Sequence, residues 1–245
     1  IEVPPTVLSL LASRVERLPD DERHVVELAS VIGTEFDRGV LAAIAGPDVS
    51  ARLGALIDRL RRKDLLEPSG TWAGDHPVYR FHHVLVRDAA YRRLLKGHRA
   101  DLHERVGRYI DQLGRDRDES GVVIAFHYEQ AHRYRAELGT LDGDTQELAR
   151  LAAGRLRAAA DQALERDDLT AAGSFAERAL VLTDDDDQRR ELLLLGCEAL
   201  LSSGDVSRGG ALVDAMDRDG PDDDRFDAWR DCFRAQLWSL TDADR

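Results

Sequence analysis

The chain has 245 residues, 43% hydrophobic and only 6% aromatic, and its 34 basic and 47 acidic side chains leave a formal net charge of −13. Ala and Leu carry most of the apolar pattern, which favours helices over sheets, and the longest apolar run, ELLLLGCEALL from Glu191 to Leu201, is too short to span a membrane. Cys197 and Cys232 stand apart with no metal-ligand spacing, a usage expected of a chain kept in a reducing cytoplasm.

The first periodic segment, VPPTVLSLLASRVERLPDDER, puts Val7, Leu8, Leu11, Val15 and Leu18 at helical spacing. No signal peptide precedes it and Ile1 is not a start methionine, so a piece of a longer or processed protein is expected. Pro19 stops this helix and Asp20 is placed to cap the next, where Val25, Val26, Leu28, Ala29 and Ile32 recur until Gly33. A short segment from Arg38 to Ala45 is closed by Gly46-Pro47. Ser50 then stands as the cap of a third helix with Leu53, Leu56, Ile57 and Leu60 inside.

Next, Leu65-Leu66 and Val78 to Phe81 flank a Gly/Pro/Asp-rich loop, the pattern of a β-hairpin. Three helices followed by a hairpin is the element order of a winged helix. The third helix would then be the recognition helix and the loop around Trp72 the wing. In YRFHHVLVRDAAYRRLL (Tyr79 to Leu95), alternation gives way at His82-His83 to a helical run. Both histidines therefore stand where a strand is expected to turn into a helix.

Beyond the hairpin the pattern is helical. Leu102, Val106, Tyr109, Ile110 and Leu113 outline one helix, and Val123, Phe126, Ala131 and Tyr134 a second. From about Gln146 a repeat appears: Asp168, Leu169, Ala172 and Ala179 match Asp205, Val206, Gly209 and Met216, each 37 positions on. A helix-turn-helix period slightly above 34 reads as a degenerate tetratricopeptide-like array. The small residues Ala172 and Gly209 would let paired helices approach closely. A further first helix, roughly Phe226 to Leu240, is expected without a second helix to pair with. The predicted fold is thus mainly α, with a winged-helix domain over 1–97, a helical connector over 98–145 and the repeats over 146–245.

Charge divides along the same lines. Residues 1–97 hold 14 basic and 14 acidic side chains, and residues 98–245 hold 20 basic and 33 acidic. The second part should repel phosphate backbones, whereas the first tolerates one. On the third helix Arg52, Arg59 and Arg62 share the face opposite Leu53 and Leu60, with Lys63 at its end, the cations a groove-reading helix would need. The competing reading is a solvated face whose late cations complement the helix dipole.

Metal binding finds no support in the histidine spacings, since His98 and His103 are five apart, as are His127 and His132. Surface or capping positions are expected for His98, His127 and His132. There is no GxxxxGK[ST] phosphate loop and no serine elbow or Cys/His signature, so the chain is expected to be neither an NTPase nor any other enzyme on its own.

The ordered motifs PPTVLSLLASRVERLPDDERHVVELASVIGTEFD, LIDRLRRKDLL, YRFHHVLVRDAAYRRL, HRADLHERVGRYI and AFHYEQA resemble the segment after the ATPase core of large bacterial STAND-type ATPases. These occur in LuxR- and SARP-type transcriptional regulators and in multidomain class III adenylate cyclases. The resemblance covers about Val3 to Ala131, and the array behind it is similar to their tetratricopeptide arms. It implies a winged helix folded back on an upstream nucleotide-binding domain of the same protein, with ADP or ATP bound there and no cofactor in this segment. A histidine that opens the last helix of the winged helix senses the ADP phosphates in such proteins. The superfamily signature reads Met-His-Asp-Leu, and here His82, His83, Val84 and Leu85 match it, with Val84 in place of the aspartate; His83 is therefore the implied sensor. The arm would bind a protein or small effector. A sequence-specific DNA-binding regulator using the helix at 50–63, and a pure protein-binding scaffold, are the alternatives.

Overall fold

The computed structural model describes residues 5–71, 76–113, 120–219 and 224–242. It is mainly α-helical with a small three-stranded antiparallel sheet. Two compact units divide the chain, one of Ile1–Arg115 with Gln130–Leu141 and one of Asp116–Glu129 with Asp142–Arg245. Residues 98–145, read from the sequence as a connector, are shared between them. No helix among the described residues is long and apolar enough to cross a membrane.

In the first unit α1 (Pro5–Glu16) and α2 (Asp20–Ile32) lead into β1 (Glu35–Asp37), α3 (Arg38–Ala45) and α4 (Pro47–Arg62). The strands β2 (Leu66–Thr71) and β3 (Pro77–Phe81) follow, then α5 (Val84–Arg93), α6 (Lys96–Leu113) and the second half of α7 (Ser120–Glu137). The expected hairpin is present, and its tip around Trp72 lies outside the described residues. A third strand, β1, was not anticipated: it pairs with β3, giving the order β1-β3-β2. Pro68 sits in the edge strand β2, where a missing N–H is tolerated, and the register slips between Pro68 and Gly70.

Two helix starts differ from the sequence reading. Pro19, not Asp20, precedes α2, so Asp20, Asp21 and Glu22 lie in its first turn, complementing the positive end of the dipole. α4 begins at Pro47, because proline is pre-organised for the first helical position. Gly46 supplies the left-handed φ of 79° before it. Ser50 is inside the helix and its N–H donates to Gly46 O at 2.9 Å. The core gathers Val25, Val26, Leu28 and Ala29 of α2 with Leu53, Leu56, Ile57 and Leu60 of α4, all within 1% of full burial. Phe36 and Phe81 close it from the sheet, with ring centroids 5.8 Å apart.

The second unit holds the first half of α7, then α8 (Gly143–Glu165), α9 (Leu169–Leu182), α10 (Asp186–Ser202), α11 (Val206–Asp219) and α12 (Asp224–Asp242). In α7 the buried residues are Ile124, Ala125, His127, Tyr128, Ala131 and Tyr134, while Val123 and Phe126 are exposed. The apolar face is thus rotated from the one expected. His127 is not on the surface either: it is fully buried, its ring edge-on to Phe126 at 5.4 Å. His98 is exposed and His132 half-buried.

The 37-residue repeat recurs in the backbone. The α8–α9 turn passes through Asp167 at φ 59° and the α10–α11 turn through Gly204 at φ 80°. In the first turn Asp168 N–H donates to Ala163 O at 2.8 Å and Asp167 N–H to Leu164 O at 3.0 Å. In the second, Asp205 N–H donates to Leu200 O at 2.9 Å and Gly204 N–H to Leu201 O at 3.1 Å. Asp168 Oδ1 then accepts from Ala171 N–H at 3.0 Å, and Asp205 Oδ1 from Arg208 N–H at 3.1 Å. The aspartate that marked each repeat in the sequence caps the second helix of each pair.

Small residues set the helix spacing. Ala172 packs with Ala163 and Ala199. A Cβ on Gly209 would lie 2.5 Å from Leu201 Cδ2, and one on Gly173 would lie 2.5 Å from Leu200 Cδ2.

Candidate functional site

The junction from β3 to α5 is anchored on both sides of its histidines. Phe81 N–H donates to Thr34 O at 3.1 Å, and His82 N–H donates to Leu65 O at 3.0 Å. His83 then takes the extended conformation of an N-cap (φ −140°, ψ 124°), and its Nδ1 accepts from Leu85 N–H at 3.4 Å. That distance makes a weak cap. It nevertheless selects a tautomer: an imidazole accepting at Nδ1 carries its proton on Nε2. His83 is exposed, as are His82 and Val84, and no acidic residue occupies the first turn of α5. The Nε2–H donor and the positive end of a helix are therefore presented together.

Several side chains fix the direction of α5. Arg87 Nε donates to Ser30 O of α2 at 2.9 Å, and Arg93 pairs with Glu16 and Glu27 at 2.9 and 3.2 Å. At the far end Tyr91 Oη lies 2.8 Å from His103 Nε2 and 2.8 Å from Tyr134 Oη, so one hydroxyl joins α5, α6 and α7. His103 is fully buried, and the Arg99 guanidinium lies over the rings of Tyr91 and Tyr134, 4.6 and 5.5 Å from their centroids. Burial, with the hydrogen bond to Tyr134, pushes the Tyr91 phenol well up. Burial alone would raise Tyr134 as well, but hydrogen bonds from Tyr91, Arg99 and Arg133 outweigh it and bring that phenol down. Nothing in the local periodicity announced this cluster, whose members are 12 and 43 residues from Tyr91.

His82 faces a different place. It lines an open cleft of about 450 Å³ with Asp58, Arg61, Arg62, Asp64 and Glu67. Two of those carboxylates are already paired, Asp58 with Arg61 at 3.2 Å and Glu67 with Arg80 at 2.6 Å.

The candidate DNA-contacting cations of α4 are mostly engaged with α2. Arg52 pairs with Asp21 at 2.6 Å, and Lys63 and Arg59 reach Glu22 at 2.5 and 3.9 Å. The Glu22 side chain is only 3% exposed, so those two cations neutralise a carboxylate the core has desolvated. Arg62 is exposed and has no ion pair among the described residues. Compared with protein-family models, with curated proteins and with solved structures, the chain matches none.

Proposed function

We propose that this chain is a non-catalytic regulatory segment of a STAND-type signalling ATPase: a winged-helix unit that reads the nucleotide state of an upstream ATPase core, followed by a tetratricopeptide-like arm for a protein or small effector. The observation that carries the reading is His83. It is an exposed helix cap whose ring is set to donate from Nε2, at a helix N-terminus whose first turn carries no acidic side chain. An anionic phosphate is the ligand that such an arrangement stabilises.

The sequence order behind the resemblance supports the same assignment, and the regular turns of the second unit support the arm. The hydroxyl of Tyr91 gives α5 a route to α6 and α7, so a shift at the His83 end has something to push against.

The test is made in the parent ATPase that the reading requires. His83→Ala removes one hydrogen bond to a charged group, about 1.5–3 kcal/mol, so ADP affinity falls about ten- to a hundredfold. His82→Ala, whose ring faces the Arg62 cleft, has a much smaller effect. Equal effects, or none, return His83 to a capping role. The DNA-regulator reading keeps only Arg62 among its four cations, so we propose weak, sequence-indifferent duplex binding that moderate salt abolishes. Tight binding of one sequence at physiological salt would reverse that order.

A further inference from the structure

The hydroxyl hydrogen of Tyr91 has two places to go. Tyr91 Oη lies 2.8 Å from His103 Nε2 on α6 and 2.8 Å from Tyr134 Oη on α7, and a phenol has a single O–H to donate. Tyr134 Oη also receives Arg99 Nη1–H at 3.4 Å, and the Arg133 guanidinium lies 4.9 Å from the centre of the Tyr134 ring. Neither arginine can accept, so among these partners the hydrogen of Tyr134 can go only to Tyr91 Oη. While Tyr134 keeps that hydrogen, the chain runs from Arg99 to Tyr134, from Tyr134 to Tyr91, and from Tyr91 to Nε2 of the fully buried His103.

Loss of the Tyr134 proton reverses the middle of that chain. A phenolate only accepts, and the hydrogen of Tyr91 makes its stronger bond to the anion. The bond from Tyr91 to His103 is then given up. The surroundings place the loss on Tyr134: against the effect of burial, its donors bring that phenol down, whereas burial and the bond to Tyr134 push Tyr91 up. A pair that shares one proton divides in this way. The other charge facing the pair is Arg87, 4.9 Å from the centre of the Tyr91 ring and paired with Asp88 at 3.1 Å. Carboxylates of α6 and α7 are held by other cations, Glu137 by Lys96 at 2.9 Å and by Arg133 at 3.8 Å, and Asp101 and Glu104 by Arg135.

We infer that the Tyr91 hydroxyl is a pH-operated latch: it bonds both α6 and α7 while Tyr134 is protonated, and it releases His103 of α6 and commits its hydrogen to α7 once Tyr134 is ionised. The proton lost by Tyr134 goes to solvent. Tyr91 keeps its own hydrogen, which only turns about the Cζ–Oη bond. α5 is the helix that His83 opens, and α7 is the helix whose first half belongs to the second unit. The latch thus sets whether α5 is held by two neighbours or by α7 alone. It goes beyond the nucleotide reading and does not depend on what His83 binds.

The experiment titrates the full chain upward from neutral pH, following phenolate absorbance and, by nitrogen NMR, the ring of His103. One of the five tyrosines should ionise ahead of the others. Tyr134→Phe should remove that early step. Tyr91→Phe, which keeps the ring, should move its midpoint up by about 1–2 pH units, through loss of one hydrogen bond to a charged group. In the unsubstituted chain His103 Nε2 should stay unprotonated while its signal moves with the same midpoint as the absorbance, a coincidence that needs no variant to fold. In Tyr91→Phe the signal should stay still through the step. The inference is overturned if no phenol leads, if the early step survives Tyr134→Phe, or if Tyr91→Phe leaves the midpoint in place or lowers it. A His103 signal that is flat through the step, or an Nε2 that takes up a proton there and so keeps hold of Tyr91, overturns it equally.

Discussion

Two adjacent glycines on α11 answer opposite questions, and alanine at each gives a matched pair. At 209 the new methyl would sit 2.5 Å from Leu201 Cδ2 and 2.9 Å from Cγ, and Leu201 is 2% exposed, with little room to swing away. Overpacking of this kind costs about 1–3 kcal/mol. At 210 the nearest atoms are 3.5 and 3.6 Å away on Leu237, ordinary contact. Both positions lie inside the same helix, so both substitutions gain about 1 kcal/mol from relief of glycine's backbone entropy. Gly210→Ala should therefore stabilise the second unit by about 0.5–1 kcal/mol, and Gly209→Ala should lie about 1–3 kcal/mol below it. The shared propensity gain cancels in that difference, leaving the close approach alone. Urea unfolding followed by tryptophan emission in a Trp72→Phe background reports on α12 through Trp229 and Trp238. A gap of about 2 kcal/mol should separate the midpoints by about 1 M. Coincident midpoints, or a higher one for Gly209→Ala, would refute the packing described for α10 and α11.

Asp168→Ala and Asp205→Ala, at equivalent caps, should each cost about 0.5–2 kcal/mol in the same assay, while Asp167→Gly, at φ 59°, should gain up to about 1 kcal/mol. Glu22→Gln should cost about 1.5–3 kcal/mol and strengthen heparin binding by releasing Lys63 and Arg59; unchanged stability would mean that the pair is solvated. Burial pushes the Cys197 thiol from its ordinary 9.0 up to about 12. The stability it contributes is therefore complete below pH 9 and lost as pH rises toward 12, by about 1.4 kcal/mol per unit. Cys197→Ala should flatten that part of the profile, and exposed Cys232 should react with thiol reagents in the native state while Cys197 waits for unfolding.

What the sequence made legible follows from the range over which each signal acts. Helix periodicity, Gly33 and the 37-residue spacing are local or repetitive, and the folded chain retains them. β1 is only three residues long, Glu35–Asp37, too short to show alternation, and its pairing is decided by Tyr79 and Arg80 far along the chain. In α7 the bulky Val123 and Phe126 are the apolar anchors the sequence offers, whereas small Ala125 and polar His127 and Tyr128 are the ones inside. His83 at the strand-to-helix junction was visible as a position, but not its ring geometry, which depends on the Leu85 N–H. The cations of α4 were legible as a stripe. Their partners Asp21 and Glu22 lie 31 and 41 residues away from Arg52 and Lys63, beyond any local pattern.

Because the α9-to-α10 junction and the α11-to-α12 junction are built from the same glycine–leucine contact, the second unit is modular. A cassette running from the residue after one Asp cap to the next, Leu169 to Asp205, begins and ends on interchangeable surfaces. Duplicating it would add one helix pair without asking any existing helix to meet a new kind of neighbour. The length of this part of the chain is thus a parameter the architecture leaves open, set by how many cassettes are spliced in rather than by redesign of a core.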